Sequence, residues 1–302
     1  MSDVAAAAAT EPRAGFITFV GRPNVGKSTL MNALVGEKIA ITSAKPQTTR
    51  RAIRGIVNRA GGQLVVVDTP GLHRPRTLLG ERLNDVVAAT LADVDVVGFC
   101  VPAGEPIGPG DRFINQRLDD YPRAAKIAIV TKLDAVPRDR VGEQLLAVSR
   151  LREWATIVPV SAIDAIQLDV LADEALALMP VSPPLYPVDA VTDESLEQRI
   201  AELIREAALE GAREELPHSL AVTIDEIEDD EGLTRIHANV FVERDSQRII
   251  MIGRGGSRLR DVGTRARAEI EPLVGGRVFL ALHVKVAKEW QRDPKALGRL
   301  GF

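Results

Sequence analysis

Between residues 21 and 28 the chain reads Gly21-Arg22-Pro23-Asn24-Val25-Gly26-Lys27-Ser28, a G-x-x-x-x-G-K-[ST] run that constrains the fold more than any other segment. The apolar stretch Phe16 to Val20 before it is predicted as a strand, and Thr29 to Val35 after it as a helix. In that strand-loop-helix setting, successive N–H groups and a helix N-terminus face a phosphate. Glycine at 21 and 26 lets the backbone close around the anion. Lys27 is placed to reach the β- and γ-phosphates, and the Ser28 hydroxyl to ligate Mg²⁺. The whole run, with Thr29, is therefore expected to contact a nucleoside triphosphate. A strand-to-helix turn that matches by chance is the competing explanation, and the motifs downstream weigh against it.

The purine is read elsewhere. Thr131-Lys132-Leu133-Asp134 follows the apolar run Ile127-Ala128-Ile129-Val130, which has the composition of a buried parallel strand. Its loop then opens at the carboxyl end of the sheet, where ligands bind in such folds. Asp134 can accept from both N1–H and the 2-amino group of guanine, a paired-donor edge that adenine lacks. Lys132 can lay its alkyl stem over the base. A site built to hydrogen-bond a group rejects analogues lacking it, so GTP is expected over ATP.

These two motifs, with Asp68-Thr69-Pro70-Gly71 between them and Ser161-Ala162 after them, resemble the ordered signature of the Ras-like GTPases. The resemblance implies that Asp68 holds Mg²⁺ through water, that the Gly71 N–H senses the γ-phosphate, and that Ser161-Ala162 offers a backbone N–H to guanine O6. It also marks Pro46-Gln47-Thr48-Thr49-Arg50 as the first switch, with Thr49 the favoured Mg²⁺ ligand and Thr48 the second choice. The implied metal set is Ser28, Thr49 and Asp68, and the implied catalytic set Lys27, Asn24, Thr49 and Gly71.

Three positions depart from the family or modify it. An asparagine usually stands where this chain has Thr131, and losing one hydrogen bond there costs about 0.5–1.5 kcal/mol, so weaker nucleotide binding or faster exchange is expected. Leu72 occupies the place of a water-orienting glutamine. No arginine finger is identifiable, Arg74 and Arg76 being ordinary loop residues, so slow unaided hydrolysis is expected. Asn24, by resemblance, helps to hold K⁺ where an arginine would otherwise act. Replacing K⁺ by Na⁺ at constant ionic strength is then expected to slow hydrolysis, and an unchanged rate rejects that role.

The chain's 302 residues allow about two domains. A net charge of −4 argues against a generic nucleic-acid binder, so any RNA site must be local. Its one cysteine, Cys100, lies in an apolar run and reads as a core residue, which fits a reducing cytoplasm. Asp93 and Asp95 interrupt the apolar stretch Val86 to Val101 and exclude it as a membrane span. Residues 1–14, with the run Ala5 to Ala9, are expected to form a disordered tail without signal-peptide character. The remaining division is expected at 15–180 for GTP binding, 181–193 for a proline-rich linker permitting domain movement, and 194–302 for a second domain.

In that second domain the pattern predicts a helix from Glu194 to Arg213 and two strands. In the latter strand Ile236, Ala238, Val240 and Val242 share one face, and Arg235, His237, Asn239 and Phe241 the other. A helix ending at Ile252, the turn Gly253-Arg254-Gly255-Gly256, a helix from Ser257 to about Ile270, and an alternating strand around Val278 to Val286 follow. Helix, two strands, two helices, strand is the order of a type II KH domain, an α+β fold whose G-x-x-G loop clamps single-stranded RNA backbone. Arg248, Arg254, Arg258, Arg260, Arg265 and Arg267 cluster about the turn, whereas Asp225 to Glu231 is mostly acidic. The candidate RNA contacts are Arg248, Gly253, Arg254, Gly255, Gly256, Arg258 and Arg260. A solvated helix face is the plain alternative. Trp290 suits base stacking and core packing equally.

Over residues 15 to 302 the chain resembles the Era family, Ras-like GTPases of α/β fold with a C-terminal KH domain. Further runs carry that resemblance, among them Ile41 to Arg50, Val67 to His73 and Glu215 to Leu220. It implies a monomeric GTPase using GTP/GDP and Mg²⁺, binding the 3′ end of 16S ribosomal RNA and acting in rRNA processing and 30S subunit assembly in the cytoplasm. A peripheral contact at the inner membrane face needs no anchor and stays open. The alternative is a GTPase switch whose second domain docks a non-ribosomal RNA, a protein or a membrane surface. A metabolic phosphotransferase built on the same loop has no further support in the chain.

Overall fold

The computed structural model describes residues 11–43, 45, 48–71, 77–212, 219–230 and 232–302. Expectations that fall on residues 1–10, Pro46, Gln47, Leu72, His73, Arg74, Arg76, Arg213 and Glu215 to His218 lie outside those residues.

The first sheet contains β1 (Arg13–Val20), β2 (Ile53–Arg59), β3 (Gly62–Asp68), β4 (Val96–Pro102), β5 (Ala125–Thr131) and β6 (Ile157–Pro159), in the order β2-β3-β1-β4-β5-β6. All neighbours pair in parallel except β2 with β3. The central strands are near-continuous apolar runs because both of their faces are covered. Helices α1 (Lys27–Val35), α2 (Leu78–Asp93), α3 (Pro109–Arg117), α4 (Arg138–Ser149) and α5 (Leu168–Ala177) supply that cover. Ile17, Phe19, Ile127 and Ile129 pack with Leu30 of α1 and Leu171 of α5. On the opposite face Val20, Phe99, Ala128 and Val130 pack with α2, α3 and α4 through Val87, Ile114 and Val148. Cys100 is wholly buried, and burial pushes its thiol up to about 12, so it is an inert core residue.

The strand order reverses at β1, which lies between β3 and β4. Such a reversal opens a crevice at the carboxyl ends of the strands, and Gly21 to Ser28 follow β1 directly into it. The ends of β3, β5 and β6 deliver Asp68, Thr131 and Ser161 to the same edge.

Two sequence expectations change at the opposite edge. The strand begins at Arg13, with Ala14 N donating to Pro180 O (3.2 Å), so the tail does not extend to residue 14. The proline-rich connector is bonded along β2 and β3: Ile56 N donates to Val191 O (2.9 Å), Asn58 Nδ2 to Val188 O (2.8 Å), and Leu185 N to the Gln63 side chain (2.8 Å). An edge strand left open would invite pairing with another chain, and this segment covers it. The connector is therefore part of the sheet's edge and not a slack tether.

After the connector come α6 (Leu196–Leu209), β7 (Ala221–Asp230), β8 (Leu233–Val242), α7 (Asp245–Ile252), α8 (Ser257–Val274), β9 (Arg277–Val286) and α9 (Pro294–Arg299). Ser195 and Gln198 form a capping box that starts α6 slightly later than the pattern predicts. The sheet order is β7-β8-β9, antiparallel then parallel. Ile236, Ala238, Val240 and Val242 of β8 are fully buried under α6 and α8. On the other face Asn239 is also buried, its Nδ2 donating to Asp225 Oδ1 (2.5 Å) while its own Oδ1 has no hydrogen-bond partner among the described residues, a placement that alternation alone does not reveal.

A further apolar cluster joins the two halves: Leu79 and Leu83 of α2 pack with Ala221, Trp290, Leu297 and Leu300. Trp290 is 0% exposed, donates Nε1–H to Ser219 O (3.0 Å) and stacks on Phe302, so it packs the core and offers no face to a base. Burying an indole of ~200 Å² is worth on the order of 5 kcal/mol.

Candidate active site and nucleic-acid interface

Gly26 adopts φ 99° and leads into α1, a left-handed turn that a residue with Cβ adopts at a cost. Lys27 is buried, and its Nζ donates to Gly21 O (3.0 Å) and Arg22 O (2.9 Å), which places an ammonium inside the loop. Burial lowers its pKa, while Asp68 opposes that shift. The Arg22 side chain turns the other way, onto Asp111 Oδ1 (2.8 Å) and Glu105 Oε2 (2.9 Å). Its bond to Asp111 raises the guanidinium pKa. Asp111 is fully buried and also accepts from Gly108 N (2.9 Å) at the start of α3. Residue 22 is thus held from behind, and its backbone, not its charge, faces the loop. No sequence signal pairs Arg22 with Asp111, because the two meet only through the fold.

At the metal side, Ser28 Oγ donates to Asp68 Oδ2 (2.6 Å) and Thr49 Oγ1 to the same oxygen (2.9 Å), with the two hydroxyls 3.3 Å apart. Asp68 Oδ1 is buried without a hydrogen-bond partner among the described residues. Burial pushes the Asp68 carboxyl up, and Ser28, Lys27 and Thr49 pull it down. Two hydroxyls and a carboxylate with an orphaned buried oxygen suit a hard cation such as Mg²⁺. Thr48 is turned aside, its hydroxyl donating to Lys45 O (2.7 Å). Thr69, Pro70 and Gly71 border a small cavity together with Gly21 and Lys27.

The base side is tied to the phosphate side. Thr131 Oγ1 donates to Val25 O (2.7 Å), and Lys132 Nζ to Asn24 O (2.7 Å). The threonine hydroxyl thus makes a loop-to-loop bond itself, so part of the tie between the two loops is kept. Asp134 is exposed, with Oδ1 accepting from Ser161 Oγ (2.6 Å), so one carboxylate oxygen is oriented by the neighbouring loop. The Ser161 N–H donates to Ile166 O (3.2 Å) and is thus already used, which leaves the Ala162 N–H as the candidate of the pair for a base carbonyl. Pro23 and Val25 complete the loop, and Thr29 lies in the first turn of α1.

On the second domain, Gly253 ends α7 at φ 75° and ψ 172°, and a Cβ there would stand 2.8 Å from that of Arg258. The turn Arg254 to Gly256 then projects before α8 with Gly255 and Gly256 open to solvent space. Arg248, Arg254 and Arg260 are exposed around it. Arg258 is not available in the same way: Nη1 and Nη2 donate to Gly211 O and Ala208 O (3.3 Å each), capping the carbonyl end of α6. Burial and Arg265 lower its pKa. That bonding leaves Arg258 less free than Arg248, Arg254 and Arg260 to turn toward a phosphate backbone. Arg265 is likewise engaged, by Glu210 and Asp261. Beside the turn, Ile249 and Ile250 are 71% and 52% exposed, an apolar surface that the run Ile249 to Ile252 did not separate from core in the sequence.

Comparison with known proteins gives the same two halves. A family model described as 50S ribosome-binding GTPase matches residues 16–132, and a KH domain model matches 215–291. GTPase Era of Leifsonia xyli subsp. xyli is 70% identical over 97% of this chain and 100% of its own. GTPase Era of Streptomyces coelicolor is 59% identical over 98% of this chain and 96% of its own. Among solved structures, Era in complex with MgGDPNP and nucleotides 1506–1542 of 16S ribosomal RNA superposes with a TM-score of 0.91 at 35% identity, covering 96% of this chain and 99% of that one. Aquifex aeolicus Era bound to GDP.AlF4⁻ has the same score and identity. Relatives this similar along their whole length, with both halves in the same order, show that the chain belongs to the Era family of GTPases.

Proposed function

We propose that this chain is a GTP-hydrolysing switch that binds single-stranded RNA at the 3′ end of small-subunit ribosomal RNA and acts in its processing and in 30S subunit assembly. The observation that carries the proposal is the joining, in one chain, of a phosphate loop tied to a guanine loop and a G-x-x-G turn flanked by exposed arginines. The Era relative solved with MgGDPNP holds a 16S rRNA segment, and its full-length likeness supports the same partner here.

In this reading the loop N–H groups from Gly21 to Thr29 and the Lys27 ammonium bind the β- and γ-phosphates. They stabilise the charge that builds on the bridging oxygen as the γ-phosphorus leaves it and bonds to water oxygen. The proton of that water passes to solvent or phosphate. Ser28 and Thr49 directly, and Asp68 through water, would hold Mg²⁺, which neutralises phosphate charge when bound. Asp134 reads guanine N1–H and the 2-amino group, Lys132 covers the base, and Ala162 donates to O6. The Gly71 N–H reports the γ-phosphate, and the Asn24 side chain helps to hold K⁺.

On the second domain, Gly253 to Gly256 admit the sugar-phosphate backbone closely, and Arg248, Arg254 and Arg260 neutralise it. Ile249 and Ile250 offer apolar surface for bases beside the turn. The domain division follows as 15–180, 181–193 and 194–302, adjusted to the strand that starts at Arg13. We place the work in the cytoplasm. No helix among the described residues is long and apolar enough to cross a membrane.

Changing Arg254 and Gly255 together to Asp is expected to weaken binding of a short strand matching the small-subunit 3′ end by on the order of 100-fold at fixed salt. Retained GDP binding checks that the first domain is folded, and an unchanged thermal unfolding transition checks the second. Normal RNA affinity in that variant rejects the assignment of this face. Equal, salt-labile binding of matching and scrambled strands by the unaltered protein points to another partner for the second domain.

A further inference from the structure

The second domain meets the first at the segment that carries Thr49. Ile41 is buried within the second domain's core cluster, beside side chains such as Ile204 and Leu220. Thr42 N donates to Glu206 Oε1 on α6 (2.9 Å), and Lys38 pairs with the same carboxylate (2.7 Å). Nearer the metal cluster, Thr48 O accepts from Arg205 Nη2, and Arg205 is itself buried and paired with Glu202 (2.6 Å). Arg50 is 3% exposed. Its Nη1 donates to Leu220 O (2.5 Å), and its guanidinium lies 5.8 Å from the ring centre of Trp290 and 6.0 Å from that of Phe302. The carbonyl before Thr49 and the side chain after it are thus held by the second domain, while the Thr49 hydroxyl points the other way, to Asp68.

Burying a guanidinium is costly unless it is hydrogen-bonded and its charge is balanced. Burial and Arg205 lower the Arg50 pKa to about 9, so it is still charged at neutral pH, and Glu202 and Glu243 oppose the shift. Burial pushes the Glu202 carboxyl up, yet Arg205, Arg51 and Arg50 together hold it below its ordinary value, as an ionised counter-charge. The Leu220 carbonyl and the two aromatic rings complete the seat, a planar donor and a flat cation being what such a seat accepts.

We infer that Arg50 is a positioning residue for GTP hydrolysis, through which the second domain holds Thr49 against Ser28 and Asp68. This assignment rests on the reading of Thr49 as a Mg²⁺ ligand. A switch threonine of that kind is engaged when the γ-phosphate is present. Loosening Arg50 therefore weakens the triphosphate state and spares the diphosphate state, a split that general destabilisation of the fold does not produce.

The test uses the full chain with Arg50→Met, Arg50→Lys and Phe302→Ala, and Thr49→Ala as the reference. Affinities for GDP and for a non-hydrolysable GTP analogue are measured in Mg²⁺, together with the Mg²⁺ concentration giving half-maximal hydrolysis. For Arg50→Met, analogue affinity is expected to fall about tenfold with GDP affinity within about twofold of the unaltered protein. The Mg²⁺ requirement should rise as it does for Thr49→Ala. Lysine at 50 is expected to recover part of the loss, because it keeps the charge and a donor but not the stacking plane. Adding Arg50→Met to Thr49→Ala should cost little more than Thr49→Ala alone, since both remove the same contact.

If Arg50→Met keeps the normal preference for the triphosphate while Thr49→Ala loses it, Arg50 is interface packing and the inference falls. If Thr49→Ala itself keeps that preference, the metal reading fails and takes the inference with it. Should Arg50→Met not fold, Phe302→Ala decides. It removes only a half-buried ring from the Arg50 seat, and an unchanged preference there overturns the assignment.

Discussion

Replacing Lys27 by alanine is expected to abolish GTP turnover, lowering kcat/KM by on the order of 10³-fold or more, about 4 kcal/mol of transition-state stabilisation. The ammonium is buried within the phosphate loop, held by the carbonyls of Gly21 and Arg22, and an incoming phosphate oxygen would compete for it at short range. In so dry a setting an ion pair is far stronger than in water, and a water molecule in the alanine's cavity restores neither the charge nor the direction of the donor. Phosphate release and titration with a fluorescent GDP measure the two losses separately. Because Lys27 also ties the empty loop to itself, thermal unfolding of the variant should be followed alongside. Hydrolysis at the normal rate in a folded Lys27→Ala protein overturns the site.

The second large effect is a change of base. Asp134→Asn is expected to reduce GTP affinity by about 10³–10⁴-fold and to raise that for xanthosine triphosphate, because the amide group places a donor against the guanine 2-amino donor where the carboxylate accepted. The geometry makes the exchange feasible without disturbing the loop. Asp134 Oδ1 accepts from Ser161 Oγ, a bond that an asparagine oxygen can keep. The amide nitrogen then takes the position of the other carboxylate oxygen and donates to the xanthine carbonyl. Competition between the two triphosphates for the variant reads the outcome, and a retained preference for GTP assigns base recognition to other residues.

These two effects rest on residues that could be found in the chain before its fold was known. Lys27 and Asp134 stand in loops whose chemistry is local: a glycine-bounded turn before a helix, and an acidic loop after an apolar strand. The arginine cluster about Gly253 was equally visible. Which of its members is free was not. Arg258 serves the carbonyl end of α6, a segment some fifty residues away in the chain, whereas Arg248, Arg254 and Arg260 are exposed. Strand β2 was missed because Arg54 and Asn58 interrupt its apolar pattern, as befits an edge whose outer side is bonded by the connector. Thr131 is a mixed case. Its departure from asparagine was visible in the chain, and the fold shows which partner its hydroxyl takes, Val25 O.

From residue order alone came the ligand class, the preference for guanine, the two-part architecture and the place of the RNA-clamping turn. Each depends on backbone conformation within a few residues, on glycine and helix-end geometry, or on strand periodicity, and such properties are written locally. Tertiary structure decided the rest: Arg22 held back by Asp111, Trp290 enclosed in the core, the connector lying as a sheet edge, and Arg50 seated between Leu220 and two rings. Those depend on burial and charge compensation between residues up to 252 positions apart, as Arg50 and Phe302 are. Hydrogen-bond partners of a buried charge are chosen by proximity in space, and no period or spacing in the chain records that proximity.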